Sequence, residues 1–343
     1  MKFTFPILTL CLGGAQRMLA EITNGLLDRG HQVTILMPPQ GAVEYEVKAP
    51  IIRTKQNYQI AESDYPAADV IVSNFYTTVP EAHAASLNGK GIHIRLSLCY
   101  EPVFLPDNHY SFPTYHLTPH VLVLSEWQRD IIRLNHGMQG YIVPVGVNPT
   151  FKNLNIRSSG KPARIVAIVR KPEGGFSWHR EQAYLLNHLD IVKDRYPNIQ
   201  ITLFCPPNEL ASSPSLLKLK KQNRYLFYTP GNDIELCYHL NQADLYISAS
   251  TYDSASLPGL EAMRCGTALI TTYAGGNSDY CRHEQNCLMS YRFENRLFED
   301  IIRLIEDDVL RKQLMKEGEK EAAKWTWERS VDAFEAAISK ILG

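Results

Sequence analysis

The stretch ADLYISASTYDSASLPGLEAMRCGTALITTYAGG, Ala243 to Gly276, indicates the fold of the chain. It reads as an apolar strand, a helix and a second apolar strand, which is typical of a parallel sheet covered on both faces. Two carboxylates, Asp253 and Glu261, lie beside a Leu-Pro-Gly, and two glycines end the stretch. A core segment needs none of these residues. A site for a polar ligand at the carboxyl end of a strand can use all of them.

The same alternation extends over most of the chain. Earlier strands are predicted at KFTFPILTL, HQVTILMP, ADVIVSNF, GIHIRLSLC, HVLVLSEW and GYIVPVGV. A polar linker at Asn155–Arg164 is followed by further strands at ARIVAIVR and NIQITLFC. We therefore expect two doubly wound α/β domains, residues 1–150 and 160–320, whose ligand edges face a central cleft. The helical end, residues 321–343, is expected to cross back to the first domain.

Composition narrows the function classes. The chain has 343 residues, 35 basic and 36 acidic, with a net charge of -1, so no global field favours nucleic acid. The odd number of cysteines, seven, suits reduced thiols in a cytoplasmic protein. Cys281 and Cys287 lack the second pair that a zinc site needs, so no metal is expected. The apolar N-terminus reads as a buried strand rather than an export signal, and no apolar run has the length of a membrane-spanning helix.

Basic residues and glycines follow two of the predicted strands. Arg170, Lys171 and Arg180 follow the first strand of the second domain, where guanidinium groups can neutralise a diphosphate. Gly13-Gly14 ends the first strand and opens the first helix, whose N–H groups attract phosphate. The surrounding CLGGAQ matches neither the dinucleotide fingerprint nor the P-loop. A tight turn and a solvated basic loop are the alternative interpretations.

The Asp253–Glu261 turn offers three kinds of contact to a nucleotide sugar. Asp253 can reach the hydroxyls of a sugar, and the N–H groups around Leu257 to Gly259 can meet a phosphate. Pro258 is suited to the start of a helix, which places Glu261 in its first turn. The Glu261 carboxylate can accept from both hydroxyls of a ribose. The alternative for Glu261 is a partner of the helix dipole.

This turn resembles the signature of the family 4 retaining glycosyltransferases, which are of the group 1 type and have the GT-B fold. The signature has two acids separated by seven residues and ends in EAMACGTP, where this chain has Asp253, Glu261 and then AMRCGTALI. Other segments are similar to the family in the same order along the chain: GGAQRMLAEI, VLVLSEWQRDIIR, VPVGVNPTFK, GGNSDY and WTWERSV.

The resemblance implies a GT-B hexosyl- or deoxyhexosyltransferase that retains the anomeric configuration and works without a metal or other cofactor. Its donor would be a nucleotide diphosphate sugar, and its acceptor a carbohydrate or lipid-linked hydroxyl in cell-surface polysaccharide or glycoconjugate synthesis. Such an enzyme would be cytoplasmic, with peripheral contact at the inner face of the membrane. The implied sites are catalytic Asp253, Arg170 and Arg180; donor-binding Glu261, Leu257, Pro258, Gly259 and Lys171; and phosphate- or acceptor-side Gly13, Gly14, Tyr100 and Glu101.

The chain departs from the family pattern at three places. Asp253 stands where the family has Glu, and Arg180 stands where it usually has lysine. The histidine that many members carry near the end of GIHIRLSLCYEP is not clearly present, since His93 lies early in that strand. The segment YEPVF, in which an aromatic residue comes shortly after YEP, is similar to a subset that includes rhamnosyltransferases of cell-surface polysaccharides. Glu101 is then the candidate for an acceptor base in an inverting reaction.

Two other functions are compatible with the same fold, because fold does not fix function. One is a sugar-nucleotide epimerase or a phosphorylase. The other is a non-catalytic subunit that binds the donor, which only Asp253 in place of Glu favours.

Overall fold

The computed structural model describes residues 1–106, 108–158 and 163–343, which form two compact units. The first unit comprises Met1–Gly146 and Thr326–Gly343. The second comprises Val147–Trp325. Each unit is built around one parallel sheet.

The strands of the two sheets follow the apolar runs of the sequence. The first sheet has the order β3-β2-β1-β4-β5-β6-β7, with β1 Lys2–Pro6, β2 Gln32–Met37, β3 Ile51–Arg53, β4 Val70–Ser73, β5 Ile92–Ser97, β6 Val121–Val123 and β7 Gly140–Ile142. The second has the order β10-β9-β8-β11-β12-β13, with β8 Arg164–Ile168, β9 Gln200–Phe204, β10 Leu226–Tyr228, β11 Leu245–Ser248, β12 Ala268–Thr272 and β13 Leu288–Ser290. Every strand pairing within them is parallel.

Helices connect most of the consecutive strands, and crossover connections of this kind are usual between parallel strands. The α-helices are α1 Gly14–Asp28, α2 Val79–Leu87, α3 Glu101–Phe104, α4 Asn108–Ser111, α5 Glu126–His136, α6 Gln182–Arg195, α7 Pro207–Ser212, α8 Pro214–Lys221, α9 Asp233–Gln242, α10 Leu257–Arg264, α11 Leu297–Glu306, α12 Asp308–Ala322 and α13 Trp327–Leu342. Short 3-10 helices occupy Glu62–Asp64, Phe112–Leu117, Trp178–Arg180, Gly276–Asp279 and Arg292–Glu294. No helix of the described residues is long and apolar enough to cross a membrane.

The last helix, α13, packs on α1 within the first unit. Glu335 accepts from His31 Nε2 at 2.8 Å and also pairs with Arg29. Phe334 is fully buried, with its ring 5.9 Å from that of Phe3. The C-terminal segment is therefore part of the first core, although the whole second unit precedes it in the chain.

The boundary between the two units lies before the polar linker that the sequence predicts. The second unit begins at Val147, and residues of the expected linker already pack within it. Arg157 Nε donates to the Ala243 carbonyl at 2.6 Å, and the N–H of Leu154, the residue just before the expected linker, donates to Asn241 Oδ1 at 2.6 Å. Residues 159–162 of the expected linker lie outside the described residues.

All strands of the second sheet end at one edge because they are parallel. The sequence places Arg170 just beyond β8, Glu209 beyond β9, Asp253 beyond β11 and Gly275 beyond β12. Ligands of open α/β sheets bind outside the carboxyl ends of the strands. We therefore expect a ligand site at this edge of the second unit.

Candidate functional site

Arg170 leaves β8 already held by two side chains. Its Nε donates to Glu209 Oε1 at 2.8 Å, and its Nη2 contacts the same oxygen. The neighbouring Lys171 donates its backbone N–H to Glu209 Oε2 at 2.7 Å, and its Nζ lies 3.4 Å from Ser212 Oγ. Gln182 accepts from the Arg170 N–H and donates to its carbonyl. Arg170 is thus fixed rather than a freely solvated side chain.

Arg180 lies at the end of a 3-10 helix that is tied to the end of β11. The His179 carbonyl accepts from the Thr251 N–H at 2.8 Å, two residues before Asp253. Burial lowers the pKa of Arg180, the charge of Arg170 lowers it further, and Asp253 opposes both effects. Burial and then the charge of Arg180 lower the pKa of His179 to about 4. The two arginines and Asp253 therefore share one electrostatic environment.

Asp253 is part of a turn that is closed by two backbone hydrogen bonds. Its N–H donates to the Ala274 carbonyl at 2.7 Å, and its carbonyl accepts from Gly276 at 2.8 Å. Asp253 Oδ1 accepts from the N–H groups of Ala255 at 3.2 Å and Ser256 at 2.8 Å. One carboxylate oxygen therefore holds the turn. A ligand hydroxyl would be met by Oδ2.

The residue that precedes the helix after this turn has a strained backbone. Ser256, the residue before α10, has φ 54°, which a residue other than glycine seldom adopts. Its carbonyl accepts from the Tyr280 hydroxyl at 2.9 Å and from the Gly259 N–H at 3.1 Å. A Cβ on Gly259 would lie 2.5 Å from the same hydroxyl. Backbone strain of this kind clusters at functional sites, where the surroundings maintain it.

The structure corrects two expectations about α10. Glu261 is not in the first turn: the helix begins at Leu257 and has no acidic residue in that turn. The N–H groups expected to meet phosphate are also fewer, because Pro258 has none and that of Gly259 is used by Ser256. The first-turn assignment failed because it took Pro258 as the start of the helix and counted Glu261 as part of its opening turn.

Glu261 is buried, with a relative exposure of 7%, and acts electrostatically on Tyr246. Burial raises the pKa of the Tyr246 phenol, Arg180 lowers it, and Glu261 and Asp253 raise it again. Tyr246 on β11 therefore lies close enough to Arg180, Glu261 and Asp253 for the charge of each to act on its phenol. Sequence reasoning missed Tyr246 because it lies inside an apolar strand. It missed Glu209 as well, although Glu209 follows a strand just as Arg170 does.

The Gly13-Gly14 turn of the first unit already uses N–H groups that a phosphate could have taken. The Gly13 N–H donates to the Tyr45 hydroxyl at 2.9 Å, and the Leu12 N–H donates to Glu44 Oε2 at 2.7 Å. Gly14 is the first residue of α1. A phosphate would have to displace a carboxylate and a phenol to reach these two donors.

Tyr100 and Glu101 belong to a buried network in the first unit. Glu101 Oε2 accepts from Arg95 Nη2 at 2.9 Å and from the Tyr115 hydroxyl at 2.7 Å, and both members of the ion pair are almost fully buried. The Tyr100 hydroxyl lies 3.0 Å from His136 Nε2. A carboxylate held in a buried ion pair is not placed to take a proton from an acceptor, so the geometry disfavours Glu101 as a base.

The described residues contain no group of three or more His, Cys, Asp or Glu side chains that could hold a metal ion. All seven cysteines are free thiols, including Cys281 and Cys287.

Residues 174–321 match the family model of the glycosyl transferases group 1. This segment includes Arg180, Asp253 and Glu261 and begins just after Arg170. Among curated proteins, none matches the chain.

Several solved structures resemble the whole chain at low identity. Sucrose-phosphate synthase from Thermosynechococcus elongatus has a TM-score of 0.80 at 16% identity, covering 100% of this chain and 99% of its own. The Anabaena protein HepE in complex with UDP-glucose has a TM-score of 0.78 at 16% identity, with coverages of 99% and 100%. WaaG, a glycosyltransferase involved in lipopolysaccharide biosynthesis, has a TM-score of 0.74 at 14% identity, with 98% of each chain covered. The chain has the GT-B fold.

Proposed function

We propose that this protein is a glycosyltransferase that moves a sugar from a nucleotide diphosphate sugar to an acceptor hydroxyl. The observation that carries the proposal is geometric: Arg170 follows β8, and the hydrogen bond from the Thr251 N–H to the His179 carbonyl brings the segment of Arg180 to the segment of Asp253 at the same edge of the second sheet. Two guanidinium groups supply the charge that a diphosphate needs, and a carboxylate beside them suits sugar hydroxyls. The match of residues 174–321 to the family model of the glycosyl transferases group 1 supports the same function.

The donor is expected to be held through its nucleotide by α10 and the turn before it. Glu261 would accept from the ribose hydroxyls, and the Leu257 N–H together with Lys171 would meet phosphate oxygens. HepE was solved with UDP-glucose, which makes UDP-glucose the first donor to test. The resemblance to family 4, and to rhamnosyltransferases within it, makes hexoses and deoxyhexoses the sugars to compare.

We further propose that transfer retains the anomeric configuration. Arg170 and Arg180 would stabilise the charge that develops on the departing diphosphate. An inverting enzyme needs a general base on the acceptor, and Glu101, the candidate that the sequence suggests, is held in a buried ion pair. The departing phosphate can itself take the acceptor proton on the face that it leaves, and attack there keeps the configuration. Asp253 would orient the donor sugar.

For the acceptor, we propose only a chemical class. A carbohydrate or lipid-linked hydroxyl in cell-surface polysaccharide or glycoconjugate synthesis fits the resemblance of the sequence.

A thermal-shift screen tests donor binding directly. A ligand that binds the native state raises the melting temperature by mass action. UDP, ADP, GDP and dTDP, each with and without a sugar, are compared on the wild-type protein and on Glu261→Ala. The proposal expects one nucleotide series to stabilise the wild type and to stabilise Glu261→Ala much less. Absence of a shift with every nucleotide, confirmed by calorimetry, would reject it.

A further inference from the structure

The site contains one carboxylate that the proposed chemistry does not use, that of Glu209. Glu209 lies in the first turn of α7, which follows β9, and its side chain contacts Arg170. Its Oε1 accepts from Arg170 Nε at 2.8 Å and from Nη2, and its Oε2 accepts from the Lys171 N–H at 2.7 Å. Both carboxylate oxygens are therefore used, and both hold the segment that leaves β8.

These contacts engage one edge of the Arg170 guanidinium and leave the other. Nε and Nη2 point to Glu209, whereas Nη1 has no hydrogen-bond partner within the described residues. Gln182 fixes the backbone of the same residue through its N–H and its carbonyl, the second at 2.8 Å. The side chain is 27% exposed, so part of it is reachable from solvent. An arginine held in this way presents a fixed pair of donors to an incoming anion.

The negative charge of Glu209 also affects the two arginines of the site. Arg170 and Arg180 are close enough for the positive charge of one to lower the pKa of the other. Burial opposes ionisation of Glu209, but hydrogen bonds from Arg170 and Lys171 and the charges of both arginines lower its pKa on balance. Glu209 is therefore ionised at neutral pH. Its negative charge offsets the repulsion between the two guanidinium groups.

We propose that Glu209 is a positioning residue for the reaction: it holds Arg170 by its Nε edge so that the opposite edge meets the departing diphosphate. The inference rests on the proposed function, since the anion it prepares for is that of the nucleotide. The competing interpretation makes the Glu209 carboxylate a substitute for phosphate that the donor must displace. The two interpretations predict opposite effects when the negative charge is removed.

The test uses Glu209→Gln and Glu209→Asp, with UDP and UDP-glucose as probes. We expect Glu209→Gln to lower kcat for UDP-glucose hydrolysis about 10- to 100-fold, the range for loss of charged hydrogen bonds. The Kd for UDP should stay within about threefold of the wild-type value. Removal of a negative charge strengthens nucleotide binding, whereas a less ordered Arg170 weakens it. Glu209→Asp, which keeps the charge, should recover part of the lost kcat. A purely structural defect would not show this separation of kcat from Kd.

Glu306→Gln is the matched control, since Glu306 forms an Arg–Glu pair with Arg195 at 3.2 Å in the same unit. It should change neither quantity. If Glu209→Gln binds UDP more tightly and keeps kcat within twofold of the wild type, the carboxylate is a phosphate substitute and the proposal is wrong. Parallel losses of kcat and UDP affinity in a folded variant would overturn it as well.

A measurement without nucleotide separates failure of this inference from failure of the proposed function. In ¹⁵N-labelled protein, the Nε–H signal of Arg170, assigned with Arg170→Lys, should exchange slowly with solvent and should lose this protection in Glu209→Gln. An unchanged signal would overturn the positioning role whatever the activity. A protected signal in a wild-type protein that binds no nucleotide would instead reject the proposed function.

Discussion

Gly276→Ala should damage the Asp253 turn without touching any group that meets substrate. A Cβ on Gly276 would lie 2.0 Å from the Ser254 carbonyl oxygen and 2.2 Å from its carbon, whereas real Cβ contacts stay beyond 3.0 Å. The Ser254 backbone must therefore move by about 1 Å, because a carbonyl cannot rotate away as a side chain can. Asp253 precedes Ser254, and its carbonyl accepts from the Gly276 N–H, so the movement includes Asp253.

The magnitude follows from that displacement. Misplacing a group that positions the substrate by about 1 Å can cost on the order of 100-fold in rate, or about 2.7 kcal/mol. We expect kcat for UDP-glucose hydrolysis to fall by about that factor, with the Kd for UDP changed less. Overpacking should lower the free energy of unfolding by about 1–3 kcal/mol. Activity is followed by release of UDP, and stability by thermal unfolding of the same samples.

Gly25→Ala is the control for a general effect of destabilisation. Its Cβ would meet Val331 Cγ2 at 2.4 Å, so it overpacks the α1–α13 contact in the first unit. This variant should lose stability but keep kcat. A folded Gly276→Ala with kcat within twofold of the wild type would refute the account of the turn.

Three further variants test other parts of the account. Burial lowers the pKa of His136 from 6.5 to about 4, so the unfolded chain binds more protons between these values. The free energy of unfolding should thus be largest above pH 6.5 and fall as the pH drops towards 4, and His136→Gln should reduce this dependence in urea unfolding. Arg180→Ala should lower kcat for UDP-glucose hydrolysis about 100-fold and leave uridine binding nearly unchanged. Glu261→Ala should weaken UDP by about 10- to 150-fold in calorimetry, the equivalent of about 1.5–3 kcal/mol.

Each of these predictions has its own contradicting result. A pH dependence that is identical in His136→Gln and the wild type would show that other groups cause it. Near-normal turnover of Arg180→Ala would place that guanidinium outside the reaction. An unchanged UDP affinity in folded Glu261→Ala would remove the ribose contact.

The sequence predicted the central strands better than the edges of the sheets. The runs at β8 and β11 are apolar because helices cover both faces of their sheet, and such runs are recognisable. Three short strands were not predicted, β3, β10 and β13, and each lies at the edge of its sheet. Their three residues give too short a pattern, and those of β3 and β10 are largely exposed. An edge strand is defined by its neighbour rather than by its own composition.

The site shows the same division between local and long-range information. The position of Arg170 and Asp253 beyond strand ends follows from the order of elements. That Glu209 reaches Arg170, 39 residues earlier, depends on the pairing of β8 with β9 and could not be read from either segment. Glu101 was singled out for its chemistry, yet its partner Arg95 lies on the preceding strand and points inward. Burial of that pair is a tertiary property that spacing alone does not reveal.

The central claim is transfer of a sugar from a nucleotide donor with retention, and proton NMR of the first product tests it most directly. UDP-α-glucose, or the UDP-, ADP-, GDP- or dTDP-sugar selected by the thermal-shift screen, is incubated with the protein. The anomeric region of the proton spectrum is recorded before the released sugar mutarotates. The account predicts that the α-anomer appears first from an α-linked donor and that Arg170→Ala suppresses its formation. First appearance of the β-anomer, or no cleavage of any donor that binds, would contradict it.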